Sequence, residues 1–220
     1  METAALILLL AAAPPAQPAC LASPAAVQEA AARGAMDDME LLTRLVFAET
    51  SSAGLRRHPR CAGRQKEAAI AIAYGVMSRV RQSRAKPALA RRWGSGLRGV
   101  IFKKGQFNPA VSPRSAFARH FSCPPRQQEW AALGAPAVAA ARRALASAAP
   151  NPLISTPWEK RRGLSLVSHF YYPHSSQATP RPPDWARPEK QAAAFAGDLI
   201  IDGHTLPGSC LWFFRHVKPW

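Results

Sequence analysis

An apolar stripe with helical spacing predicts the first core helix, over residues 38–49. Leu42, Leu45 and Val46 stand at positions i, i+3 and i+4, which places their side chains on one face of a helix. Glu49 falls at i+7 on the same stripe. The pattern therefore predicts a carboxyl group on the buried side of a helix rather than on its solvated side.

The start of this helix is better defined than its end. Asp37 and Asp38 suit an N-cap and the positive end of the helix dipole. If the helix continues through Glu49, partial loss of water raises the pKa of the carboxyl group and makes it a proton donor near neutral pH. If the helix ends near Phe47, Glu49 instead lies in an exposed loop.

Two further long helices are predicted. The first, over residues 65–82, has apolar side chains on more than one face, which is typical of a buried central helix. Gly75 within it indicates close packing of another element, for example the helix of Glu49. The second covers residues 127–148, is rich in alanine, and is ended by Pro150.

Shorter apolar runs predict a few strands. Residues 164–172, 199–201 and 211–214 are rich in β-branched or aromatic side chains, whereas residues 97–102 fit either a strand or a short helix. Taken together, the pattern predicts a mainly α (α+β) fold in a single domain.

The N-terminal residues predict export. An apolar run over residues 4–13 is too short to span a bilayer, and small residues before Ala22 suit a cleavage site, so residues 1–22 are expected to be a signal peptide. Lipid attachment at Cys20 is the alternative. Residues 23–36 form an alanine-rich linker, weakly helical or disordered. No later stretch predicts a transmembrane segment, and the expected location is the periplasm or the cell wall.

The chain is strongly basic, with 29 Lys and Arg against 13 Asp and Glu and a formal net charge of +16. Such an excess implies an anionic partner, which can be nucleic acid, a membrane surface or a cell-wall polymer. A non-catalytic basic binding protein is therefore one candidate function. The predicted leader and the absence of a recognised binding motif argue against nucleic acid.

Four cysteines, Cys20, Cys61, Cys123 and Cys210, allow disulfides in an oxidising compartment. If Cys20 leaves with the leader, the other three form one disulfide and leave one unpaired thiol, and the sequence does not specify the pair. The Cys and His spacings are not those of common zinc motifs, so no metal and no cofactor is predicted.

Short motifs follow one another between residues 41 and 185. They are Phe47-Ala48-Glu49-Thr50, Ser78-Arg79-Val80, Val100-Ile101 with Gly105-Gln106-Phe107, Ser168-His169-Phe170-Tyr171, and Pro183-Asp184-Trp185. In this order they resemble the cell wall hydrolase family of the spore-cortex-lytic enzyme SleB. The chain departs from the family at Ala53, where a second acidic residue is usual, and at Ser78, where asparagine is usual.

This resemblance implies that residues 37–220 form a lysozyme-like domain with Glu49 as catalytic acid/base. The implied substrate is the peptidoglycan glycan strand, cleaved between N-acetylmuramic acid and N-acetylglucosamine. No second acidic residue lies on an apolar stripe, so a lytic transglycosylase that gives 1,6-anhydro products is favoured over hydrolysis by two carboxylates. We expect a monomer that binds peptidoglycan and not nucleic acid.

The same motifs supply candidates for substrate binding, namely Gln106, Phe107, Ser168, His169, Tyr171 and Trp185. Gln106 is expected to bind an N-acetyl group or to hold Glu49, unless it only caps a backbone turn. His169 either orients substrate or is a core histidine. The aromatic rings suit stacking on sugars, but of the adjacent Tyr171 and Tyr172 on a strand only one faces a cleft.

Overall fold

The computed structural model describes residues 17–146, 149–175, 182 and 186–215. These residues form a mainly α fold with two small sheets, which confirms the predicted fold class. None of the helices in these ranges is long and apolar enough to cross a membrane. The helices are α1 (Pro24–Ala32), α2 (Asp38–Ser52), α3 (Gln65–Ala85), α4 (Pro87–Trp93), α5 (Gly96–Ile101), α6 (Asn108–Val111), α7 (Ala118–Ser122), α8 (Trp130–Leu145) and α9 (Pro157–Arg162). The strands are β1 (Val167–Tyr171), β2 (Leu199–Ile201), β3 (His204–Leu206) and β4 (Trp212–Arg215).

Helix α2 begins where its sequence predicts and extends past the predicted end. The Asp37 side chain accepts a hydrogen bond from the Glu40 backbone N–H at 2.7 Å, as an N-cap does. Because the helix continues to Ser52, Glu49 lies inside it and is only 4% exposed. The alternative, that the helix ends near Phe47 and leaves Glu49 in solvent, is wrong.

Helix α3 is the buried centre of the fold, as predicted, and packs against α2, α8 and β1. Gly75 does mark a close contact, and the nearest side chains there belong to β1 and β4. A Cβ atom at Gly75 would lie 3.4 Å from the Phe170 ring and 3.7 Å from the Phe213 ring. The missing side chain therefore makes room for the aromatic residues of β1 and β4.

The two sheets are each an antiparallel pair. β1 pairs with β4, with Phe170 opposite Phe213, and β2 pairs with β3 through a turn at Asp202 and Gly203, both with positive φ. The three predicted strands correspond to β1, β2 and β4, and residues 97–102 are largely the helix α5. Strand β3 was not predicted, although Asp-Gly after an apolar run is a strong hairpin signal.

The cysteines pair as Cys20–Cys123 and Cys61–Cys210. The expected unpaired thiol is therefore wrong, because Cys20 supplies its partner. A leader compatible with this disulfide ends before Cys20, since cleavage after Ala22 would remove that half of the bond.

The segment that follows Cys20 is packed against the core. The Leu21 backbone N–H donates to the Ser122 carbonyl at 2.9 Å, and the buried guanidinium of Arg44 donates to the Ala19 carbonyl. Residues expected to form a linker make helix α1, and its Val27 and Ala31 side chains are buried. The two apolar positions of this Ala-rich sequence therefore join the helix to the core.

Helix α9 was not predicted, and its N-terminus is a capping box. Thr156 accepts from the Glu159 backbone N–H at 3.2 Å, and Glu159 accepts in return from the Thr156 N–H at 2.9 Å. The fully buried Glu159 also accepts from the Leu166 N–H at 2.8 Å, just before β1, and lies 3.5 Å from Arg215 on β4. One carboxylate thus connects α9 to both strands of a sheet.

Replacing Glu159 with glutamine is expected to lower the free energy of unfolding by about 2 kcal/mol, because charge-assisted bonds to several donors are lost. Burial opposes ionisation, but the backbone donors of Thr156, Leu166 and Ser155 hold the pKa of Glu159 below its ordinary value. Chemical denaturation at neutral pH measures the change. Glu29→Gln, at an exposed position, is the control, and equal stabilities for the two variants would contradict the prediction.

Candidate active site

The carboxyl group of Glu49 lies inside the protein next to a tyrosine hydroxyl. Tyr172 directly follows β1 and donates its hydroxyl proton to Glu49 Oε2 at 2.5 Å. That distance is typical of a charge-assisted O–H···O bond. α2 supplies the acid and the end of β1 supplies the donor, so the pair exists only when helix and strand are packed together.

Burial changes the acidity of this pair. Loss of water raises the pKa of Glu49 to about 7, although the Tyr172 hydrogen bond and the positive charge of Arg79 act in the opposite direction. Burial, together with the adjacent Glu49 carboxylate, raises the pKa of Tyr172 well above its usual range. Near neutral pH the carboxyl group therefore exchanges a proton readily, while the phenol keeps its own.

Arg79 of α3 brings a buried positive charge to the same place. Its guanidinium lies 4.8 Å from the centre of the Phe107 ring and 5.7 Å from that of Phe170. It donates to Gln106 Oε1 at 2.7 Å and to the Ser168 backbone carbonyl. Burial lowers its pKa to about 10, and the Glu49 carboxylate opposes that shift, so it stays a cation at neutral pH.

The three ionisable groups suit proton transfer by a single carboxyl group. With a pKa of about 7, Glu49 populates both its acid and its base form at neutral pH, which is the condition for efficient general acid–base catalysis. The positive charge of Arg79 favours the ionised form of Glu49, while Arg79 itself keeps its proton. In the part of the chain that is described, the charged group that acts on the pKa of Glu49 is this cation and not a second carboxylate.

Three of the predicted binding residues lie around Arg79. Gln106 holds the guanidinium rather than Glu49, and the Phe107 ring lies beneath that guanidinium and is 1% exposed. Ser168 contributes its backbone carbonyl, while its buried hydroxyl lies 2.9 Å from His169 Nδ1. These residues therefore position Arg79, whose positive charge lowers the pKa of Glu49.

The other predicted binding residues are not brought to Glu49. His169 is half-buried with its ring edge-on to Trp93, at 6.0 Å between ring centres. The Tyr171 ring packs on Trp212 at 5.5 Å, in a small aromatic cluster apart from the main core. Trp185 lies outside the described residues.

Sequence reasoning missed the roles of Arg79 and Tyr172. An arginine within the most apolar helix of the chain is itself a signal, because a buried cation needs partners. The alternation of a strand also identifies Tyr172, since it lies two residues after Phe170, which faces the core. Of the two adjacent tyrosines, Tyr172 and not the candidate Tyr171 contacts Glu49.

A cleft of about 240 Å³ lies beside the C-terminal turns of α2. Thr50 and Ser51 line it, and the Thr50 hydroxyl is buried without a hydrogen-bond partner. Phe117 and Glu129 also line it, and the Glu129 carboxylate lies 3.2 Å from His120 Nε2. The residue next to Glu49 thus faces a space with aromatic and polar walls.

Comparison of the chain with protein-family models, with curated proteins and with solved structures gave no match.

Proposed function

We propose that this protein is an exported enzyme that cleaves the glycan strand of peptidoglycan between N-acetylmuramic acid and N-acetylglucosamine, as a lytic transglycosylase. The observation that carries the proposal is the buried Glu49 carboxyl group, with a pKa of about 7 and bonded to Tyr172. The motif resemblance to the SleB family supports the substrate class, and a lysozyme-like fold belongs to the same proposal.

The reaction needs two proton transfers, and Glu49 performs both. Its protonated form donates to the glycosidic oxygen as the bond from that oxygen to the anomeric carbon breaks. The resulting carboxylate then takes the proton of the 6-hydroxyl group of the muramic acid residue, whose oxygen bonds to the same anomeric carbon and closes a 1,6-anhydro ring. No water is consumed, and Glu49 regains its proton.

The surrounding residues adjust this cycle. The charge of Arg79 and the hydrogen bond of Tyr172 both lower the pKa of Glu49, so they stabilise the carboxylate formed after the first transfer. Without them burial alone would favour the neutral acid and slow the first transfer, which forms the carboxylate.

Digestion of purified peptidoglycan sacculi tests the proposal. The wild-type protein is expected to release muropeptides with 1,6-anhydromuramic acid ends, identified by mass spectrometry. If all products have reducing ends, the reaction is hydrolysis and not transglycosylation. Absence of any released glycan fragment would reject the enzymatic proposal.

A basic binding protein without catalysis is the second candidate, because exposed cations are clustered on two short helices. Arg91 and Arg92 are exposed on α4, as are Lys160, Arg161 and Arg162 on α9. This function predicts retention on sacculi or DNA that falls steeply with salt, without digestion. Binding together with digestion supports the enzyme, because an enzyme of this charge also binds polyanions.

Tyr172→Phe is expected to reduce cleavage about tenfold and to move the alkaline limb of the pH–rate profile to higher pH. The hydrogen bond from Tyr172 lowers the pKa of Glu49, so its loss raises that pKa, and the activity of the acid form persists to higher pH. Initial rates of sacculus digestion at several pH values measure both effects. Tyr171→Phe is the matched control, since this ring packs on Trp212. The same shift in both variants would contradict the assignment.

A further inference from the structure

Two histidines converge on the Cys61–Cys210 disulfide. The His58 and His174 rings stack with their centres 4.0 Å apart. One ring nitrogen of each histidine and the Cys61 sulfur all lie within 4.8 Å of one another. His58 Nδ1 is 3.4 Å from Cys61 Sγ, and the disulfide brings the Cys210 sulfur to the same place. Two imidazoles and two sulfurs therefore meet, although they come from three separate segments.

One interatomic distance and one hydrogen bond in this cluster suit a metal site. Ligand atoms about 2.0–2.3 Å from a tetrahedral zinc ion are roughly 3.3–3.8 Å from one another, and the 3.4 Å between His58 Nδ1 and Cys61 Sγ lies in that range. His174 Nε2 lies 2.9 Å from the Ser209 carbonyl, which only accepts, so in the neutral ring Nε2 carries the proton and Nδ1 is the nitrogen with a lone pair for a metal. Ligand histidines are commonly oriented by such a bond.

The disulfide blocks this site, because zinc binds thiolates and a disulfide sulfur has no proton to lose. We propose that the cluster is a thiol-gated zinc site, in which His58, Cys61, His174 and Cys210 become the four ligands once the disulfide is reduced. A dithiol supplies two electrons and two protons. The S–S bond breaks to give two thiols, and the dithiol becomes a cyclic disulfide. Zinc then displaces the two thiol protons.

The cluster lies close in sequence to both members of the Glu49–Tyr172 pair. His58 and Cys61 lie in the loop after α2, which carries Glu49, and His174 lies two residues after Tyr172. Gly54 brings the two segments into contact: its φ is +68°, and a Cβ there would lie 2.5 Å from the His174 carbonyl oxygen. The disulfide joins the loop after α2 to Cys210, whereas a bound zinc ion would also join that loop to His174 and so connect the segments that flank the Glu49–Tyr172 pair.

Cobalt(II) is a suitable probe, since it occupies tetrahedral zinc sites and its bonds to thiolates absorb in the near ultraviolet. The purified protein is titrated with Co²⁺ in its oxidised form and after reduction with a phosphine, which supplies the same two electrons. We expect one Co²⁺ per reduced chain, bound at least about a hundredfold more tightly than by the oxidised chain, with a thiolate charge-transfer band.

Two variants make the assignment specific. Cys20→Ser with Cys123→Ser removes the other disulfide and should keep the band at the same intensity after reduction. His58→Gln with His174→Gln keeps all four cysteines and should lose the tetrahedral spectrum and the tight binding.

Three results would overturn the proposal. They are the absence of the band in the reduced wild type, an unchanged band in the histidine variant, and a reduced chain that far-UV circular dichroism shows to be unfolded and that stays so when Co²⁺ is added. The third result counts because the proposal requires the metal to replace the cross-link.

Discussion

Replacing Glu49 with glutamine should reduce the release of anhydromuropeptides from sacculi by about a thousandfold or more. General acid–base catalysis commonly contributes about a hundred- to ten-thousandfold, and here one group carries out both proton transfers. Glutamine has nearly the same shape and can still accept the Tyr172 hydrogen bond, but it has no proton to donate at neutral pH. Mass-spectrometric counting of anhydro ends over time measures the loss.

Glu129→Gln is the control for this experiment. Glu129 lies on the wall of the cleft beside α2 and is bonded to His120, so it is the acidic side chain to test for a share in the reaction. Its replacement should leave the rate within about twofold of the wild type, and circular dichroism should show both variants folded. A large loss in the Glu129 variant would contradict the single-carboxyl mechanism and favour two-carboxylate hydrolysis.

The second large effect is on stability. The wild-type protein should lose roughly 3 kcal/mol of its free energy of unfolding, relative to Glu49→Gln, as the pH rises from about 4.5 to above 7. The pKa of Glu49 is raised from 4.5 to about 7 in the folded protein. Below pH 4.5 both states hold the proton. Between the two values the unfolded chain ionises first, so rising pH favours unfolding until the folded carboxyl group also ionises.

Denaturant unfolding of both proteins at pH 4.5, 6 and 8 measures this difference, with other titrating groups common to both. Glu29→Gln, measured at the same three pH values, is the control for replacing a carboxyl group at an exposed position. If the difference in free energy of unfolding between wild type and Glu49→Gln stays constant across this range, the folded carboxyl group has ordinary acidity. The proposed mechanism would then lose its basis.

Elements with a strong local pattern could be predicted from the sequence. The stripe of α2 predicted the burial of Glu49, and the apolar run of α3 predicted the central helix. The stripe alone did not identify the neighbours of Glu49, because Tyr172 is 123 residues away in the chain and only the packing of β1 brings it close. One disulfide among Cys61, Cys123 and Cys210 was predicted and is found between Cys61 and Cys210. The predicted unpaired thiol was wrong, because Cys20 was assumed to be removed with a leader and instead pairs with Cys123.

Two buried glutamates illustrate why residue type alone does not predict acidity. Glu49 sits on an apolar stripe, and burial raises its pKa. Glu159 is fully buried as well, but several N–H groups point at it and hold its pKa low. The sequence distinguishes the two cases. Thr156-Pro157-Trp158-Glu159 is a capping-box pattern that supplies hydrogen-bond donors, whereas the other residues on the stripe of Glu49 have apolar side chains without donors.

The order in which the chain is synthesised has a consequence for the Glu49–Tyr172 pair. A growing polypeptide contains Glu49 long before Tyr172, and Cys210 lies 149 residues after its partner Cys61. In a nascent or truncated chain that ends before these residues, the carboxyl group at position 49 has the ordinary pKa of a glutamate and is mostly ionised at neutral pH. The proposed cleavage activity would therefore arise only when nearly the whole polypeptide is complete.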